Sequence, residues 1–400
     1  MKSLIRLFSL IALICTSCTS NCNTEDERAK YIFLFIGDGM GFTHIAAAES
    51  YLSYKVDKLG GEQLLMSSLP YIGTATTHSA DRHITCSSAA GTAIACGVKA
   101  KNNTLGVDEY GMAATSVAME LKDSGYRIGL VTNVGINHAT PAAFYAHCTD
   151  REDFYGISQQ IPSSGFDMLG GSGFLDSKGA DGTSEPIDIW LEKQGYTVCY
   201  GPEEFKSVSK DKDAAIFCQE RYRGKDAVDY SPDIRKAEET PLAEIVGLAI
   251  EYLGDEDRFF IMCEGGTIDW TSHYNTTMPM IENLIEFDEA IKTAYDFYLK
   301  HKDETLIVVT SDHETGGITL GQGGKKTIRW DKLEKQWIES GKKYTLSDEE
   351  NRKMNEECGI GWTTAAHTGG AVPVFAIGKG AEMFMGRMDN TDIKGKILGE

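Results

Sequence analysis

Three groups of polar residues have the types and spacing that chemistry needs. The first is Glu264-Gly265-Gly266-Thr267-Ile268-Asp269-Trp270-Thr271-Ser272-His273. Asp269 and His273 stand four apart, so on a helix both face one way and can share a cation. Asp312-His313 is a second carboxylate–imidazole pair, and His367 is a lone imidazole in Ala366-His367-Thr368-Gly369-Gly370. Three of the nine histidines fall in these segments. A single His is more often structural than a ligand. Asp-x-x-x-His, Asp-His and Asp38 together make a set whose donors suit zinc.

The second group is Thr85-Cys86-Ser87-Ser88-Ala89-Ala90-Gly91-Thr92-Ala93. A hydroxyl at a helix N-terminus lies beside unpaired backbone N–H groups and the positive end of the dipole. The same amides can hold a phosphoryl anion. An ordinary Ser cap on a tightly packed Ala/Gly helix has the same sequence. The third group is His138-Ala139-Thr140-Pro141, followed by Arg151. Thr140 offers a hydroxyl to a hard cation such as Mg²⁺, and Arg151 can clamp phosphate through parallel hydrogen bonds. Taken alone, Thr-Pro is a helix start and Arg151 a surface charge.

The elements that must position these residues are short apolar runs. Five read as buried strands: Tyr31 to Ile36, Arg127 to Val131, Phe259 to Cys263, Leu306 to Thr310 and Val372 to Ile377. Helical stretches lie between them, for example Met112 to Asp123 and Pro241 to Leu253. The alternation predicts an α/β fold, a three-layer sandwich around a large, mostly parallel sheet. Asp38, Glu264, Asp312 and His313 each follow a strand, and ligands of open α/β sheets bind beyond the carboxyl ends of the strands. An Asp after one strand is a common helix cap; the same pattern at three strands favours a site. Residues 163–240 and 317–361 read as additions to the core of a domain spanning 31–400, the second a small inserted subdomain.

The 400 residues carry a formal net charge of −20, which argues against nucleic acid as a partner. An anion site on such a chain must be made positive locally. Residues 1–18 have the charged, apolar, small-residue order of a secretory signal. The expected location is therefore the periplasm or cell surface. Cys18 stands where a lipidated cysteine would anchor the chain to a membrane, although Cys15 replaces the usual Leu three before it. Lipid attachment and simple cleavage both fit. Residues 19–30 read as a polar tether. The ten cysteines contain no C-x-x-C pair in the mature chain, so a cysteine-based zinc cluster is not expected. A Cys199–Cys218 disulfide is one pairing to test, and Cys148 and Cys263 read as buried thiols.

The set as a whole resembles the alkaline phosphatase family, from Tyr31 to about Gly380. Gly37-Asp38-Gly39-Met40-Gly41, Ile84 to Thr92, Gly97-Val98-Lys99, Leu105-Gly106-Val107-Asp108, His138-Ala139-Thr140-Pro141, Glu264-Gly265, Asp269 with His273, Asp312-His313 and His367-Thr368-Gly369 occur in family order. The resemblance implies hydrolysis of small phosphate monoesters through a phosphoserine at Ser87. It implies one Zn²⁺ on Asp269, His273 and His367, and a second on Asp38, Asp312 and His313. A third ion, usually Mg²⁺, falls to Asp38, Thr140 and Glu264, and Arg151 binds the phosphate. His138 and Trp270 match positions that vary in the family and tune the third site. A homodimer is a further expectation, since the family is commonly dimeric. One departure is clear: Cys86 occupies the position usually held by an Asp that orients the phosphate-binding Arg. Arg151 is then expected to be held less firmly, or by another carboxylate. A related sulfatase would need Cys-x-Pro-x-Arg, which Cys86-Ser87-Ser88-Ala89-Ala90 does not match. A diesterase of the superfamily tends to lack both the third metal site and the Arg.

Overall fold

The computed structural model describes residues 28–209, 214–226, 238–254 and 257–400. The leader, Cys18 and nearly all of the expected tether lie outside these residues. At its centre is a sheet of ten strands. Their order across the sheet is Gly386–Asp389, Tyr71–Thr76, Val372–Gly378, Thr305–Thr310, Tyr31–Gly37, Phe259–Gly265, Arg127–Thr132, Met168–Gly171, Ala215–Cys218 and Thr197–Tyr200. All five strands expected from apolar runs are present. Tyr31–Gly37 pairs in parallel with Phe259–Gly265 on one side and Thr305–Thr310 on the other. Val372–Gly378 runs antiparallel to both its neighbours.

Helices cover both faces, which is why the central runs are apolar at every position rather than at alternate ones. Tyr31, Phe33 and Phe35 face one layer with Phe259, Ile261, Ile307 and Val309, against helices Phe42–Lys55, Leu242–Leu253 and Thr277–Tyr298. Ile32, Leu34 and Ile36 face the other with Phe260, Met262, Leu306 and Val308, against helices Ser87–Cys96 and Val117–Asp123. The two-residue period of a strand sends neighbours to opposite faces.

Four expectations change. The helix expected from Met112 begins at Val117, because Ser116 caps it by accepting the Met119 N–H and Ala113 instead bridges Val107. Cys199 and Cys218 are both free. They lie on paired strands but one step apart in register, Cys199 opposite Phe217 and Cys218 opposite Tyr200. Cys199 therefore packs in one layer and Cys218 in the other, so no disulfide can join them. Cys148 is half-buried rather than buried, whereas Cys263 is buried. Segment 163–240, expected as an addition, supplies three strands of the sheet.

Segment 317–361 forms a hairpin of Ile318–Leu320 with Ile360–Trp362 and the helices Trp330–Glu339 and Asp348–Cys358. It docks on the core through polar ties at indole nitrogens. Trp330 Nε1 donates to Ser50 Oγ at 3.1 Å and Trp337 Nε1 to Glu282 Oε1 at 3.0 Å. No helix among the described residues is long and apolar enough to cross a membrane.

Candidate active site

The chemical residues gather at the carboxyl edge of the central strands. Asp38 follows Tyr31–Gly37, and its N–H donates to the Gly265 carbonyl of the neighbouring strand. Glu264 sits in the last turn of pleat of that neighbour, opposite Thr132. Asp312 and His313 follow Thr305–Thr310. Asp269 and His273 lie on helix Thr267–His273, one turn apart as expected. His367 is on a two-residue strand paired with Glu314–Thr315. Ser87 is the first residue of helix Ser87–Cys96, with Cys86 at its N-cap. Thr140 is on the short helix Ala139–Ala142, capped by His138.

These residues form three groups, in each of which the ligand atoms lie within 4.8 Å of one another: Asp269, His273 and His367; Asp38, Asp312 and His313; Asp38, His138 and Glu264. Asp38 belongs to two of them. Hydrogen bonding sets how the imidazoles face. His273 Nδ1 meets the Ala365 carbonyl at 2.8 Å and His367 Nδ1 meets the Thr85 carbonyl at 2.9 Å. A carbonyl can only accept, so both Nδ1 atoms carry hydrogen and neutral rings present Nε2 lone pairs. Those two Nε2 atoms are 3.2 Å apart, with Asp269 Oδ2 3.3 Å from that of His273. Lone pairs so close repel unless a metal ion, or a proton on His273, lies between them. His313 stacks on His367, and its Nε2 is 3.3 Å from Ser87 Oγ and 3.2 Å from Asp312 Oδ2.

Whether cations fit is decided by the polar atoms left over. Both oxygens of Asp38, Asp312 Oδ2, Glu264 Oε1 and Thr140 Oγ1 are buried and accept or donate no hydrogen bond. A buried carboxylate without a partner is costly, and one buried orphan is unusual in a folded protein. The carboxylate oxygens among them belong to the clustered groups, and buried acceptors so placed fit metal ions. Burial first, then Asp312, Asp269 and Glu264, drive the Asp38 carboxyl well above its usual range. Asp312 is pushed up to about 8 by burial and by the Asp269 charge. Burial also lowers His313 well below the ordinary imidazole value, keeping its ring neutral. Burial lowers His273, but the Asp269 carboxylate more than offsets this and raises it to about 9.

Arg151 reaches the site from beside it. Its Nη2 donates to His138 Nε2 at 3.3 Å, and its Nε is 3.6 Å from Glu152 Oε1. The contact with His138 leaves that ring's Nδ1 carrying the hydrogen, so the carboxylate oxygens of Asp38 and Glu264 remain the open donors of the third group. Cys86 Sγ accepts the Asn103 N–H at 3.2 Å, and the Asn103 carbonyl accepts the Arg151 N–H. Cys86 thus meets Arg151 through backbone, while the guanidinium hydrogen-bonds an imidazole and its Nε, 3.6 Å from an exposed carboxylate, has no hydrogen-bond partner. Trp270 is buried with its ring edge-on to His138 at 6.0 Å.

Three supporting residues were not apparent in the sequence. Thr132 donates to Glu264 Oε2 at 2.5 Å. His44 accepts the Gly41 N–H at Nδ1 and meets Ser272 Oγ at 3.1 Å, tying the Asp38 loop to the Asp269 helix. Thr315 joins Asp269 to His313. Their one signal was proximity to the motifs. Gly39 shows how tight the cluster is. Its φ is +77°, and a Cβ there would lie 2.8 Å from Asp269 Cα and 2.9 Å from Thr315 Oγ1. Gly39→Ala is expected to weaken metal affinity at least about tenfold, since displaced supports of ligands cost that much. Metal analysis after dialysis checks this.

The comparisons agree with this geometry. Residues 29–171 and 224–398 match the family described as alkaline phosphatase. Alkaline phosphatase 4 of Bacillus subtilis is 31% identical, covering 92% of this chain and 88% of its own. Alkaline phosphatase 3 of the same organism is 30% identical over 94% and 89%. The structure of alkaline phosphatase from the Antarctic bacterium TAB5 superposes with a TM-score of 0.75 at 29% identity, covering 93% of this chain and 98% of that one. A His 135 Asp mutant of the TAB5 enzyme carries Mg in its M3 site, with a TM-score of 0.75 at 30% identity over 93% and 97%. On its buried cation-binding groups, its helix-mounted serine and these matches, the chain belongs to the alkaline phosphatase family of metal-dependent phosphomonoesterases.

Proposed function

We propose that the protein hydrolyses phosphate monoesters to alcohol and inorganic phosphate through a phosphoserine at Ser87, with two Zn²⁺ and one Mg²⁺ as cofactors. Asp269, His273 and His367 would hold one zinc, and Asp38, Asp312 and His313 the other. Asp38, Thr140 and Glu264 would hold the magnesium. When bound, these ions supply positive charge that favours the Ser87 alkoxide and neutralises the departing oxygen.

The chain's own groups do the rest. Ser87 Oγ attacks phosphorus; its bond to phosphorus forms as the bond to the alcohol oxygen breaks. The first-turn amides of helix Ser87–Cys96 face the phosphoryl oxygens. Arg151 binds them from the side with its planar fork. Water then cleaves the Ser87 ester and regenerates the hydroxyl. The observation that carries this reading is the nucleophile itself: Ser87 Oγ, 3% exposed as a residue, stands 3.3 Å from the buried His313 Nε2 among unpartnered carboxylates. Export by the leader, with or without a lipid on Cys18, belongs to the same proposal, as does a homodimer.

The test compares initial hydrolysis of a chromogenic phosphate monoester, the matching diester and the sulfate, with and without zinc chelation. Dominant, chelator-sensitive monoester turnover is expected; dominant diester or sulfate turnover contradicts it. A finer consequence concerns Cys86. A thiol is a weak acceptor with no charge, so Arg151 lacks a carboxylate on the nucleophile side. Cys86→Asp is expected to tighten inhibition by inorganic phosphate roughly three- to tenfold, the scale of one charge-assisted hydrogen bond at a half-exposed site. Product-inhibition constants measure it, and an unchanged constant refutes it.

A further inference from the structure

We infer that Thr315 is a positioning residue that couples two of the cation-binding groups, gripping Asp269 of one and His313 of the other with a single hydroxyl. This rests on the metal-dependent reading above. Thr315 is fully buried. Its Oγ1 lies 2.5 Å from Asp269 Oδ1 and 3.2 Å from His313 Nδ1. The bookkeeping of hydrogens has one solution. Asp269 is a carboxylate and can only accept, so the hydroxyl hydrogen goes to it. The hydroxyl oxygen then accepts from His313 Nδ1–H. That places the His313 lone pair on Nε2, the atom facing Ser87, Asp38 and Asp312.

The backbone of the same residue reaches two more segments of the site. The Thr315 N–H donates to the Gly39 carbonyl at 3.0 Å, one residue beyond Asp38. Thr315 also pairs directly opposite His367 in the small antiparallel ladder. One residue therefore touches the segments that carry Asp38, Asp269, His313 and His367. An ion that orders Asp269 fixes the hydroxyl, and the fixed hydroxyl orients His313 for the second ion. Partners of this kind, outside the ligands themselves, set ligand orientation and basicity. The consequence is that the two ions bind with positive coupling, and that loss of this one hydroxyl weakens both.

Thr315→Val keeps the shape and removes the hydroxyl; Thr315→Ser keeps the hydroxyl. The probe is zinc alone, titrated into the metal-stripped full chain against a chromophoric chelator, with the visible spectrum of the cobalt-loaded protein as a second readout. The wild type is expected to take up two tight equivalents. In Thr315→Val both affinities are expected to fall about 10- to 100-fold and the cobalt spectrum to change, while Thr315→Ser stays within about threefold of wild type. A valine chain that matches wild type, or that weakens one equivalent and spares the other, overturns the coupling. If the valine chain does not fold, the serine chain decides alone: loss of either tight equivalent there overturns it. A wild type that binds no zinc overturns the metal-dependent reading and this inference with it.

Discussion

Replacing Ser87 by alanine lowers kcat for a phosphate monoester by at least roughly a thousandfold, because no other group can accept the phosphoryl in the same place. The fold and the metal content stay as they were. Ser87 begins a helix whose next residues are small and buried, and Ala is at least as good a helix former as Ser. The adjacent hydroxyl cannot substitute. Ser88 Oγ is 3.1 Å from Cys86 Sγ and its residue is fully buried, so it is turned away from His313 and engaged elsewhere. Ser88→Ala is accordingly the mild control. Initial rates with zinc content measured on the same samples check both. A Ser87→Ala chain that kept more than about a tenth of its rate would mean direct attack by water.

The second large effect is on the metal-free protein. Its stability falls as pH rises from about 7.5 to about 8.5, and zinc abolishes the fall. The sign follows from the groups that titrate there. Burial first, then neighbouring acids, raises Asp38 well above its usual value and Asp312 to about 8. His273 is raised to about 9, the Asp269 carboxylate outweighing its burial. Asp312 and His273 each bind more protons folded than unfolded across this interval, and the raised Asp38 acts in the same direction, so rising pH favours the unfolded chain. The groups shifted the other way act lower. Burial holds His44, His313 and His367 below the ordinary 6.5. Their opposite contribution is complete once the unfolded imidazoles have lost their protons. Bound ions replace the protons on the carboxyls and remove the dependence. Unfolding midpoints of chelated and zinc-loaded protein across the interval measure this. A chelated midpoint that is flat or rises with pH is the contrary result.

How much of this was legible beforehand depended on burial. The five central strands could be read because helices cover both their faces, leaving uninterrupted apolar runs such as Tyr31-Ile32-Phe33-Leu34-Phe35-Ile36. The outer strands were not read. Met168–Gly171, Thr197–Tyr200 and Ala215–Cys218 have four residues each, too few to show a period. The antiparallel direction of Val372–Gly378 leaves no trace in composition either, since over most of its length it is as buried as the parallel strands at the centre of the sheet. The rejected Cys199–Cys218 pair was a matter of register, and one residue of register moves a side chain to the other face.

The clustered acids and imidazoles were legible for a different reason. Acids and imidazoles that follow strands at one sheet edge are conspicuous, and the structure brings Asp38, Glu264, Asp269, His273, Asp312, His313 and His367 together within three groups. Thr140, read from the same pattern, has a buried hydroxyl without a hydrogen-bond partner. The supports were silent. Thr132, Thr315 and His44 act by pairing with another side chain, and that pairing exists only after folding has brought distant segments into contact. Arg151 falls between. Its presence was read from the family pattern, but its contacts with His138 and Glu152 exist only in the folded chain.

The most direct measurement is the mass of the Ser87 peptide after acid quenching the enzyme during turnover of a phosphate monoester. The account predicts one phosphoryl group on Ser87 in the metal-loaded protein and none after chelation. A phosphoryl group on another residue, or turnover with Ser87 never modified, would contradict it.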